Sequence, residues 1–239
     1  MRPLPLLVLL FTLAFIASGY LIPFDGYDGT QVPIPQVDPP IQPAGWAFSV
    51  WGVIYGWLLV SAVFGILKRA DDPQWDRARV PLLLSLVLGT PWVAIANVSA
   101  VWATVVIFGM LASAVWALLR APARDRWWLQ APVALYAGWL TAAAFVSLGS
   151  TMAGWGIGPG SLGWAFIGIP LALLTAVAVL VAKPQTPEYA VTVCWGLFGI
   201  AMKNGADLPG VTALAVAGIL SLAVVAWAGR RRVAPARPV

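Results

Sequence analysis

Trp46-Ala47-Phe48-Ser49-Val50-Trp51-Gly52-Val53-Ile54-Tyr55-Gly56-Trp57-Leu58-Leu59-Val60-Ser61-Ala62-Val63-Phe64-Gly65-Ile66-Leu67 contains no charged residue, and Lys68-Arg69 closes it. About 20 apolar residues, rising 1.5 Å each, cross the hydrocarbon core of a bilayer. In lipid only helices and closed barrels satisfy their own backbone groups, and this run lacks the in–out alternation of a barrel strand. It therefore predicts a transmembrane helix. At 100° per residue Phe48, Trp51, Gly52, Tyr55 and Leu59 share one face, with Trp46 and Trp57 opposite. Gly52 and Gly56 form a small-xxx-small pair, a spacing that permits close helix approach.

Similar runs recur on both sides of this one. They predict about eight spans: 4–22, 46–67, 80–97, 101–119, 129–152, 162–182, a short 189–202, and 211–227. The composition agrees, with 61% hydrophobic and 10% charged residues and a mean hydropathy of +0.87. A soluble domain of this length needs far more charge to cover its surface. The expected fold is thus all-α, a polytopic transmembrane helix bundle.

The basic residues give this count an orientation. Arg2, the group Lys68, Arg69, Arg77 and Arg79, the group Arg120, Arg124 and Arg126, Lys183, and the C-terminal Arg230, Arg231, Arg232 and Arg237 all fall on one side of an eight-span chain. Only Lys203 falls on the other. The positive-inside rule makes the loaded side cytoplasmic, with both termini there. Laying 189–202 in the interface would leave seven spans and put the C-terminal arginines outside, so that alternative is disfavoured. The first run follows Arg2 like a signal peptide, but it is long for one and lacks an A-x-A site, so it is read as a retained helix.

One long outside loop, 23–45, joins the first two spans. Pro23, Pro33, Pro35, Pro39, Pro40 and Pro43 stiffen it. Its charges are Asp25, Asp28 and Asp38 alone. Asp25-Gly26-Tyr27-Asp28-Gly29 lacks the full ligand spacing and closing glutamate of a calcium loop and reads as a turn. The loop is expected to pack over the bundle, with Ile34 and Ile41 offering apolar contacts.

Catalytic chemistry finds little purchase. There is no histidine, which removes the commonest general base and metal ligand. The single Cys194 cannot form an intrachain disulfide. No paired carboxylates, phosphate-binding loop or dinucleotide fingerprint appears, and nothing points to nucleic acid. Glu188, Lys203 and Asp207 sit at span ends, where their charges can snorkel to water. Neither catalytic nor metal-binding residues are assigned. What is abundant is tryptophan, with 14 residues. Trp127, Trp128, Trp155, Trp164 and Trp227 fit an interfacial belt. Trp51, Trp92, Trp102, Trp139 and Trp195 lie deeper, where they serve either core packing or an aromatic cavity for a flat apolar ligand.

The run from Pro39 through Gln42, Trp46 and Trp51 to Tyr55 resembles the loop-to-second-helix signature of the TspO/MBR family, the tryptophan-rich sensory proteins that include the translocator protein or peripheral benzodiazepine receptor. Pro132-Val133-Ala134-Leu135-Tyr136-Ala137-Gly138-Trp139-Leu140-Thr141-Ala142-Ala143 is similar to that family's fifth helix, and 188–200 to the C-terminal region of long bacterial members. The resemblance implies a five-helix core over 1–152, three appended helices over 153–229 and a basic cytoplasmic tail over 230–239. It also implies a pocket for tetrapyrroles, sterols or synthetic ligands beneath the first loop. By position that pocket draws on Trp46, Phe48, Trp51, Tyr55, Trp92, Tyr136 and Trp139. Ser147 stands about where the family carries an asparagine.

Three functions follow as expectations. The first is a sensor or carrier in a bacterial inner membrane, binding a flat hydrophobic ligand such as a porphyrin and requiring no cofactor. The second is a structural or assembly subunit with no small-molecule ligand. The third, implied by the resemblance, is light-dependent porphyrin degradation. Expected partners are the bilayer, a small hydrophobic ligand, and a second copy or membrane-complex subunit.

Overall fold

The computed structural model describes residues 3–24 and 26–233. Within them the chain forms nine α-helices and no strand, as the apolar runs require. The helices are α1 (Pro3–Leu21), α2 (Val50–Arg69), α3 (Pro73–Gly89), α4 (Trp92–Ala96), α5 (Ala100–Arg120), α6 (Ala131–Gly154), α7 (Gly160–Ala182), α8 (Pro187–Asn204) and α9 (Pro209–Val233). A 3-10 turn at Gly45–Ser49 leads into α2, and a π turn at Arg126–Gln130 leads into α6. Arg2, Asp25 and most of the basic tail lie outside the described residues.

The third expected span divides. Helix α3 starts at Pro73, seven residues before the expected 80, because Asp72 caps it by accepting a hydrogen bond from Gln74 N at 2.9 Å and Pro73 suits the first helical turn. Arg77 and Arg79, placed in a loop by hydropathy, therefore lie within the helix. The break falls at Thr90-Pro91, because Pro91 has no N–H to continue the ladder. The short α4 then follows.

Among the described residues six segments are long and apolar enough to cross a membrane: α1, α2 with its leading turn, α5, α6 with its leading turn, α7 and α9. The remaining two long helices, α3 and α8, also run from one end of the bundle to the other. At one end Asp125 binds Arg69 and Trp75, and Arg126 pairs with Glu188 at the start of α8. At the opposite end Asn97, just past α4, and Lys203, at the end of α8, hold the 23–45 loop. The chain thus passes end to end eight times. Helix α8 is a full pass within the bundle, longer than the expected 189–202.

Helix α6 is the central post. Its residues from Ala131 to Thr141 are all buried, as a helix apolar on every side must be. It packs on α5, α7 and α8. Gly138 lets α8 approach: a Cβ there would lie 2.5 Å from the Tyr189 carbonyl oxygen. Thr141 Oγ1 and the Tyr189 hydroxyl meet at 2.7 Å across the same contact. By contrast, a Cβ on Gly52 or Gly56 would meet nothing within 4 Å. The small-residue pair of α2 brings no helix close among the described residues, since both glycines border open space.

The 23–45 loop is packed down. Val32 and Ile41 are buried, whereas Ile34 is half exposed and Val32 takes the anchoring role expected of it. Val32 sits against Gly154, and Ile41 fits between Gly149 of α6 and Gly168 of α7. Ile34 N donates to the Gly154 carbonyl at 2.9 Å, and Asn97 Nδ2 donates to the Pro23 carbonyl at 2.9 Å. Thr30 N and Thr30 Oγ1 both donate to Asp28 Oδ1, so the Asp-Gly stretch is a side-chain-closed turn.

Candidate functional site

Beneath this loop lies a cavity of about 790 Å³. Its walls come from α1 (Phe15, Gly19, Tyr20), the 3-10 turn before α2 (Phe48, Ser49), the start of α2 (Trp51, Gly52, Tyr55), α4 (Trp92, Val93), α5 (Ile107, Met110) and α6 (Trp139, Ala143, Ser147, Ser150). The loop roofs it with Pro23, Phe24, Tyr27, Gln36, Gln42 and Pro43. The face of α2 expected from helical periodicity is the one turned inward, with Leu58 rather than Leu59 completing its buried side.

Five of the seven residues assigned from the resemblance line the cavity: Phe48, Trp51, Tyr55, Trp92 and Trp139. Trp51 stacks on Tyr55 with centroids 5.1 Å apart, and meets Trp139 edge-on at 6.2 Å. Phe48 packs edge-on against the other side of Trp139 at 5.6 Å. Trp92 is fixed by its indole N–H, which donates to the Ala103 carbonyl at 2.9 Å.

The other two sit elsewhere. Trp46 precedes α2 on the opposite face and packs edge-on against Trp195 at 5.1 Å. Tyr136 is fully buried behind the wall, its hydroxyl 2.9 Å from Ser85 Oγ, so it supports Trp51 without lining the cavity. Trp102, read as a deep tryptophan, is 64% exposed, because it starts α5 on its outer face. Glu188 and Lys203 do not snorkel freely: Glu188 pairs with Arg126 at 2.5 Å and Lys203 with Asp38 at 2.6 Å.

Phe15 was missed. It contacts Trp51, Tyr55 and Tyr136 edge-on at 5.4–5.8 Å and is the hub of the aromatic wall. Nothing in the uniformly apolar α1 distinguishes it. Tyr27, in the Asp-Gly turn of the loop, also reaches the site. Its ring is buried against Phe24, and its hydroxyl lies 2.8 Å from Ser147 Oγ. Ser147 continues to Thr104 at 2.7 Å, and Thr104 to Thr151 at 2.8 Å, a chain of hydroxyls that latches the loop to α5 and α6. Burial pushes the Tyr27 hydroxyl above its ordinary value, so it stays protonated.

Two buried polar atoms of cavity-lining residues have no partner: Gln36 Oε1, an acceptor, and Trp139 Nε1, a donor. Buried polar groups are nearly always paired, so these two are exceptions. The arrangement offers aromatic faces, edges and a few neutral hydrogen-bonding groups, and no acid–base pair.

The fold and the site define a polytopic helical membrane protein with an aromatic cavity under the 23–45 loop. A model of the TSPO-like protein family matches residues 4–228, and the chain belongs to that family. The match runs through α7 and α8 and into α9. No curated protein and no solved structure matches the chain.

Proposed function

We propose that this protein binds a flat hydrophobic ligand, with a tetrapyrrole as the leading candidate, and serves as a sensor or carrier for it. It does so in a bacterial inner membrane with both termini in the cytoplasm. The observation that carries the reading is the 790 Å³ cavity walled by Trp51, Trp92 and Trp139 and roofed by the loop. That volume falls within the range of small-molecule sites, which are apolar with a few convergent polar groups. Indole and phenol rings supply stacking area for a planar molecule. The chain has no histidine, so a haem would lack its usual axial ligand, and a metal-free porphyrin is the better candidate.

Porphyrin titration of the detergent-solubilised protein, followed by tryptophan quenching and porphyrin absorbance, tests this. Saturable binding in the micromolar range, about −8 kcal/mol, is expected. Trp51→Ala should weaken it by on the order of 1–3 kcal/mol while leaving the helical circular dichroism unchanged. Equal, non-saturating quenching in the wild type and in Trp51→Ala/Trp139→Ala would mean partitioning into detergent, and would replace this reading with that of a structural subunit.

A further inference from the structure

The electrostatics of the cavity narrow its ligand beyond shape, an argument that rests on the binding reading above. No described residue lining the cavity is charged. Asp25, which joins the lining residues Phe24 and Gly26, lies outside the described residues and is in any case an acid. The Gln36 amide is held by its nitrogen: Nε2 donates to the carbonyls of Ile34 at 3.1 Å and Pro35 at 3.4 Å. Its negative end, Oε1, is thereby left buried and unpaired. The aromatic rings add faces that carry negative quadrupole density.

Lys203, a cation that reaches this region, is already engaged. Lys203 Nζ donates to the backbone carbonyl of Gln42, but it also donates to the Pro39 carbonyl at 2.8 Å and pairs with Asp38 at 2.6 Å. On the favourable side stand neutral dipoles alone, among them the hydroxyls of Tyr20, Ser49, Tyr55 and Ser150 and the Gln42 amide. A carboxylate brought in from water gives up its hydration for these, and neutral donors do not offset that loss.

We infer that the cavity selects uncharged planar ligands and rejects carboxylates. Of two tetrapyrroles with the same ring, it takes the one whose carboxyl groups are masked. The test compares protoporphyrin IX, a dianion at about pH 8, with its dimethyl ester, using protein in zwitterionic lipid nanodiscs. Partitioning is subtracted with the Trp51→Ala/Trp139→Ala protein. The ester is expected to bind at least about tenfold more tightly.

Gln36→Lys should reverse the preference. The ammonium can keep donating to the Ile34 and Pro35 carbonyls while supplying the missing positive charge. The ratio of dianion to ester affinity should rise at least about tenfold. Gln42→Lys places a charge at a second lining position if the first variant does not fold. Equal or tighter binding of the dianion by the wild type overturns the inference and leaves the site intact. Saturable binding of neither compound overturns the underlying reading of a binding site.

Discussion

Lys203, at the end of α8, lies 2.6 Å from Asp38 in the loop between the first two helices, and so ties the far end of the chain to the roof of the cavity. Asp38 is largely exposed, so the ion pair by itself contributes little. The hold comes from the neighbouring contacts. Lys203 donates to the Pro39 and Gln42 carbonyls, Asn204 Nδ2 donates to the Pro40 carbonyl at 2.9 Å, and Ala44 N donates to the Gly199 carbonyl at 3.1 Å. Lys203→Met should remove about 1–2 kcal/mol of loop anchoring. Limited proteolysis between Gln31 and Gln42 reads this: the wild type should resist and the variant should be nicked faster. Equal cleavage would assign the anchoring to Val32 and Ile41 instead.

Glycine substitutions should separate packing from mere permissiveness. Gly138→Ala forces a Cβ into the Tyr189 carbonyl oxygen, which belongs to backbone and cannot rotate away. A loss of about 1–3 kcal/mol, seen as a lower melting temperature in detergent, is expected. Gly56→Ala meets open space and should be neutral or stabilising by up to about 1 kcal/mol. A destabilised Gly56→Ala would show that this face is covered in the membrane by another chain.

Acid should loosen the end of the bundle opposite the loop. The Asp125 carboxyl is held below the usual aspartate range, chiefly by the Arg69 guanidinium, whose Nε and Nη2 donate to it at 2.8 and 3.1 Å, and then by the Trp75 indole at 2.8 Å. Burial pushes the other way and is outweighed. A carboxyl whose folded pKa is depressed stabilises the fold above its unfolded value, near 4, and loses that contribution as pH falls through the folded value. Thermal stability should therefore hold from neutrality to about pH 5 and fall below about pH 4. Asp125→Asn should lower it by on the order of 1–3 kcal/mol at neutral pH and shrink the difference from wild type in acid. A constant difference at all pH values would exclude the ion pair as the cause.

Topology can be read by labelling. With Cys194 replaced, single cysteines at Gly29, Asp72 and Pro235 should react from the periplasm only at Gly29. Periplasmic labelling at Pro235 would refute the eight-pass orientation.

The number of passes, the segregation of the basic residues and the inward face of α2 were legible in the sequence. Each rests on a local signal: the length of an apolar run, a charge at its end, or the contrast between Trp51-Tyr55 and Gly56-Trp57 within a single turn. The cavity itself was legible only in part. Phe15 is the hub of its wall, yet α1 is apolar on every side, so no periodicity marks which face turns inward. The same lack of contrast hid that Tyr136 lies behind the wall and Trp102 outside it. Tyr27 and Lys203 acquire their roles from contacts spanning up to 164 residues, between segments whose own sequences do not refer to one another. In a membrane the solvent selects apolar residues for every lipid-facing and protein-facing surface alike. Hydropathy therefore determines that a helix crosses, while the side it shows to its neighbours is decided by packing.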